Sequence, residues 1–104
     1  MIEIKNKEEF QKEISDKKVL VDFYATWCGP CKMMKPIIED IDSIEVLSVD
    51  VDLNHALAKE YKVLSIPSFK IIDHGKVIKE KQGFMSRQEM ETFLNTEKGE
   101  EYVL

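Results

Sequence analysis

Lys18-Val19-Leu20-Val21-Asp22-Phe23-Tyr24-Ala25-Thr26-Trp27-Cys28-Gly29-Pro30-Cys31-Lys32 is the stretch on which the fold turns. Lys18–Tyr24 is a nearly continuous apolar run, the pattern of a strand buried on both faces. Past Cys31 the period changes. Met34, Ile37, Ile38 and Ile41 recur at helical spacing and form one apolar stripe. Pro36 lies inside that stripe and should kink the helix, because it removes an amide donor and crowds the preceding turn. A buried strand therefore runs almost directly into an amphipathic helix, with two cysteines at the joint.

The flanks extend this reading. Met1–Ile4 suits a short edge strand, and Asn6 with Glu9 reads as a capping box opening a helix that buries Phe10 and Ile14. Ile44–Val51 reads as the next strand. Leu53–Tyr61 reads as a short helix with Leu53, Leu57 and Tyr61 on one face. Ser68–Asp73 and Lys76–Lys81 are expected to pair across Asp73-His74-Gly75 as a hairpin. Ser86 with Glu89 is a second capping box, before a helix that buries Met90, Phe93 and Leu94. The order is β-α-β-α-β-α-β-β-α, an α/β layering with helices on both faces of a mixed sheet.

Length and charge narrow the function. The 104 residues suit a single domain spanning 1–104. A net charge of −5, from 15 basic and 20 acidic residues, argues against nucleic acid and against an anionic membrane surface. No run approaches the ~20 apolar residues of a membrane span. The N-terminus does not read as a signal peptide, so a cytoplasmic location is expected. Two cysteines three apart are not a secreted disulfide scaffold.

Cys28 and Cys31 carry the chemistry. Residues i and i+3 of a helical turn have Cα atoms roughly 5 Å apart, within disulfide range. Cys28 would stand at the helix start, where free amides and the helix dipole favour an anion, so its thiolate is stabilised. Cys31 lies one turn further in, shielded by Cys28, and suits the second attack. Gly29 permits close backbone approach, and Pro30 fits a first helical turn. A zinc half-site is the competing reading. It needs two further ligands, and the chain offers only His55 and His74, which are expected to face solvent. No metal and no cofactor are expected.

Asp22 interrupts the apolar strand. It is either a partly solvated carboxylate or a buried one with a raised pKa, able to take a proton from Cys31. Ile66-Pro67 precedes a strand. By itself it reads as an ordinary trans proline at a strand start.

Taken together, the run Val21–Lys32, with its Trp27-Cys28-Gly29-Pro30-Cys31-Lys32 core, closely resembles the signature of the thioredoxin family. The resemblance covers nearly the whole chain, with Pro36, Ile66-Pro67, Gly75 and Gly83 at corresponding places. It implies a thioredoxin fold, with a five-stranded sheet of order 1-3-2-4-5 and four flanking helices. It implies that Cys28 is the nucleophile, Cys31 the resolving thiol, Asp22 the proton acceptor and Pro67 cis. It further implies a groove at Trp27, Gly29, Pro30, Ile66, Pro67 and Gly83 that binds an extended substrate segment, with the Ile66 backbone pairing to it. The sequence departs from the family at four site-proximal positions. Ser48 stands where many bacterial members have lysine, so desolvation should govern Asp22. Ser65 and Gln82 make the groove more polar, and Tyr24 replaces a common tryptophan. Glu100–Leu104 extends the chain as a frayed or docked tail.

The expected function is reduction of protein disulfides by dithiol–disulfide exchange. The partners are disulfide-containing proteins and a thioredoxin reductase that recharges the pair, and the chain is expected to be a monomer. Gly-Pro between the cysteines suggests a reductant over an isomerase or oxidase. The alternative is a binding or chaperone subunit of the same fold with incidental thiols.

Overall fold

In the computed structural model, residues 1–96 are described. The expected tail at Glu100–Leu104 lies outside them. The elements are β1 (Ile2–Glu3), α1 (Lys7–Ile14), β2 (Lys18–Tyr24), α2 (Gly29–Glu39), β3 (Glu45–Asp50), α3 (His55–Glu60), β4 (Ser68–Asp73), β5 (Lys76–Gln82) and α4 (Arg87–Asn95). The sheet has the order β1-β3-β2-β4-β5. β3 runs parallel to both β1 and β2, while β4 is antiparallel to β2 and β5. This is the thioredoxin fold, as the resemblance implied.

β2 is the central element because nearly all of it is apolar. Val19, Val21 and Phe23 face a core built with Phe10 and Ile14 of α1 and Leu57 and Ala58 of α3. Leu20 faces the opposite core, built with Met34 and Ile38 of α2 and Met90 and Phe93 of α4. Alternation along one strand thus feeds two layers. Each large apolar side chain fully buried there contributes about 1.5–3 kcal/mol.

The punctuation behaves as its chemistry dictates, with two exceptions. His74 and Gly75 both have positive φ, 49° and 83°, and make the tight two-residue connection that matches strand twist. Ser86 and Glu89 form both arms of a capping box on α4. At α1, Asn6 Oδ1 accepts from the Glu9 amide, but the Glu9 carboxylate takes the Lys5 amide at 2.7 Å, not that of Asn6. The return arm is therefore displaced by one residue. Leu53 is 81% exposed, against its expected burial beside Leu57 and Tyr61. The helix begins only at His55, so Leu53 belongs to the preceding turn and falls off the helical stripe. Tyr61 does pack inward, edge-on against Phe10 at 5.3 Å between ring centroids.

Candidate functional site

β2 ends at Tyr24, and the Cys28 amide closes the turn by donating to the Ala25 carbonyl at 3.2 Å. That turn delivers Cys28 to the N-cap of α2, where its Sγ accepts from the Cys31 amide at 3.3 Å. Gly29 and Pro30 fill the first helical positions, where the missing proline donor costs nothing. Cys28 and Cys31 are disulfide-bonded, with Cα atoms 5.2 Å apart. A free helix-end amide and the helix dipole both point at Cys28 Sγ, the arrangement that stabilises a thiolate once the bond is reduced.

Cys31 is not shielded more than Cys28. Their exposures are 8% and 5%. Ile66 packs against the pair, and its carbonyl oxygen lies 3.9 Å from Cys28 Sγ, so both sulfurs are covered. What separates the two is helical position, with Cys28 alone at the N-cap.

Ile66-Pro67 is a cis peptide. The Gly83 amide donates to the Pro67 carbonyl at 2.8 Å, which brings the end of β5 beside the loop. Gly83 holds φ at +91°, where a side chain would be strained. Trp27 is 67% exposed, and its indole Nε1 donates to Asp52 Oδ2 at 2.8 Å. Ser65 donates to Gln82 Oε1, so the two polar departures from the family pattern bond to each other. Trp27, Gly29 and Pro30 are exposed around the buried cysteines, Ile66 and Gly83 are half-buried, and Pro67 is buried.

Asp22 is buried at 6% exposure, and its Oδ1 has no hydrogen-bond partner. Burial, reinforced by the negative charge of Glu3, pushes its carboxyl up to about 7. Desolvation dominates, as the replacement of lysine by Ser48 suggested. Ser48 stands directly opposite Asp22 in β3.

Three neighbours of the site escaped sequence reasoning. Asp52 anchors Trp27. Asp50 is buried and accepts the Asp52 and Leu53 amides through Oδ1, closing the turn that carries Asp52. The Asp-Val-Asp spacing after a strand was the available signal. Glu3, in the same row of the sheet as Asp22 with Ser48 between them, had no local signal at all. His55 and His74 are exposed. Among the described residues no cluster of three or more His, Cys, Asp or Glu could hold a metal ion. No helix among them is long and apolar enough to cross a membrane.

The thioredoxin family profile matches residues 1–96. The chain is 36% identical over 93 residues to a thioredoxin of Bacillus subtilis (strain 168), covering 85% of this chain and 89% of that one. It is 47% identical over 70 residues to a bifunctional thioredoxin reductase/thioredoxin of Mycobacterium leprae (strain TN), covering 62% of this chain and 15% of that protein. A solved thioredoxin from Plasmodium falciparum superposes with a TM-score of 0.84 at 27% identity, covering 90% of this chain and 97% of that one.

Proposed function

The chain belongs to the thioredoxin family, and we propose how its own residues carry out the exchange. The protein is a thiol–disulfide oxidoreductase built on its Cys28/Cys31 pair. In the reduced form the Cys28 thiolate attacks one sulfur of a substrate disulfide. A mixed disulfide forms, the substrate S–S bond breaks, and the leaving substrate thiolate takes a proton from water. Asp22 then accepts the Cys31 proton, and Cys31 attacks Cys28 Sγ. The mixed disulfide breaks, the second substrate thiolate leaves and is protonated, and Cys28–Cys31 is closed. Two electrons have passed to the substrate.

The observation that carries this assignment is Cys28 Sγ at the N-cap of α2, accepting a helix-end amide. A buried carboxyl with a pKa near neutrality supports Asp22 as the group that takes up and returns a proton. Trp27, Gly29, Pro30, Ile66, Pro67 and Gly83 form the substrate groove in this reading, with the Ile66 backbone pairing to an extended segment. The whole chain acts as one domain and as a monomer in the cytoplasm. A thioredoxin reductase returns two electrons to the pair. The Mycobacterium leprae relative, whose name couples both activities in one protein, supports that partner.

The reading is tested by reducing insulin disulfides with NADPH and a bacterial thioredoxin reductase while following iodoacetamide labelling of the reduced protein. Cys28 is expected to alkylate first, and its modification to abolish insulin reduction. Equal, slow labelling of both cysteines at neutral pH overturns the assignment of Cys28 as the attacking sulfur.

A further inference from the structure

Asp22 shares its row of the sheet with a second carboxylate. Strand pairing places Glu3, Ser48, Asp22 and Phe69 side by side across β1, β3, β2 and β4. Residues opposed in this way point to the same face. Ile2 and Ile4, the sequence neighbours of Glu3, pack into the core on the other face. Glu3 and Asp22 are thus two strand spacings apart, roughly 10 Å between backbones, and the side chain between them in the row is the small Ser48.

Tyr24 holds the arrangement. It follows Asp22 by two residues, so it shares that face, and its hydroxyl donates to Glu3 Oε2 at 2.7 Å. The edge carboxylate, itself exposed, is thereby fastened over the sheet. Of the other titratable groups on this face, Lys79 of β5 stands opposite Ile71 and its Nζ donates to the Phe93 and Thr96 carbonyls, while Lys18 and Asp73 oppose each other at the far end of β2 and β4. Asp50 of β3 is committed to two backbone amides. Cys31 of α2 is disulfide-bonded. Lys81 of β5 stands opposite Phe69 at the exposed end of the row. The remaining buried residues of α2 and α4 that face the sheet, Met34, Ile38, Met90 and Phe93, are apolar.

We propose that Glu3, fastened by the Tyr24 hydroxyl, is a positioning residue for Asp22, its negative charge across Ser48 keeping the proton on Asp22 to higher pH. A negative charge held near a buried carboxyl disfavours its ionisation. Tyr24 and Glu3 together then do, from the sheet edge, the opposite of what a lysine at position 48 would do. The consequence for disulfide exchange rests on Asp22 being the proton acceptor; the coupling itself does not.

Carbon NMR titration of the Asp22 carboxyl in the oxidised protein, where neither cysteine titrates, reads the coupling directly. Glu3→Gln preserves an acceptor for Tyr24 and removes the charge. Its Asp22 midpoint is expected to fall by about half a pH unit. Tyr24→Phe is expected to lower it less, since Glu3 is released to solvent. An unchanged midpoint in either variant overturns the proposal. The pH profile of insulin reduction by Glu3→Gln is expected to move with the midpoint. A midpoint that moves under a stationary rate profile leaves the coupling standing and removes Asp22 from the exchange.

Discussion

Lys70 and Asp22 are both buried and ionisable, yet the sheet treats them in opposite ways. Lys70 stands opposite Val21 in the β2–β4 pair, and Asp22 opposite Phe69, one step along and on the other face. Lys70 is 4% exposed, and its Nζ donates to Glu80 Oε1 at 2.5 Å. Asp22 is 6% exposed, and one of its oxygens is orphaned. A buried charge with a partner is a packing solution. A buried carboxyl left without one holds a proton that chemistry can use. The missing partner, and not burial, separates the working face from the structural one.

That contrast is broken first at the cysteines. Cys28→Ser is expected to lower insulin reduction by at least about a thousand-fold, because serine is not ionised at neutral pH. Lys70→Met, on the other face, is expected to leave it intact. Equal losses in the two variants would erase the distinction.

The second expectation concerns stability against pH. The unfolded chain releases the Asp22 proton near the ordinary value of 3.8, and the folded protein near about 7. Between those values the unfolded state binds fewer protons, so stability contributed by neutral Asp22 is lost as pH rises. The loss is complete above about 7 and is on the order of 4 kcal/mol. Urea unfolding at pH 5 and pH 8 should show the part of this fall that lies above pH 5, about 3 kcal/mol, in the parent protein, and Asp22→Asn should lack it. Parallel profiles would mean that Asp22 is solvated after all.

A smaller effect is expected on the paired side. Glu80→Ala leaves Lys70 without its carboxylate and should cost about 1 kcal/mol, since Glu80 itself is well exposed. Lys70→Met should come closer to neutral in the same urea series. The smallest effect is at α4, whose Met90 and Phe93 pack into the core beside Leu20 and Phe69. Ser86→Ala removes the capping hydroxyl and is expected to cost about 1 kcal/mol or less, read as a shifted urea midpoint with unchanged activity.

Legibility followed the range of the interactions. β2 and β4 carried their bounds in their apolar runs, and the N-cap of α4 was written in Ser86 and Glu89. Leu53 was misread because a helical period extrapolates past the turn that ends it. The displaced arm of the α1 cap was invisible because a glutamate reaches either of two adjacent amides. Asp22 was legible as an anomaly, and its raised proton affinity followed from burial in the apolar run; the smaller contribution of Glu3 was not legible, since Glu3 is 19 residues away in sequence and meets it only through β3.

The sequence alone determined the dithiol and its helix-start setting, because spacing, Gly-Pro and a preceding buried strand act within a few residues of one another. Tertiary structure decided which groups surround the sulfurs and Asp22. It carried Ile66 to Cys28, Asp52 to Trp27, and Glu3 to the row of Asp22 and the hydroxyl of Tyr24. Those contacts depend on strand order and register, and no local pattern of residues encodes them.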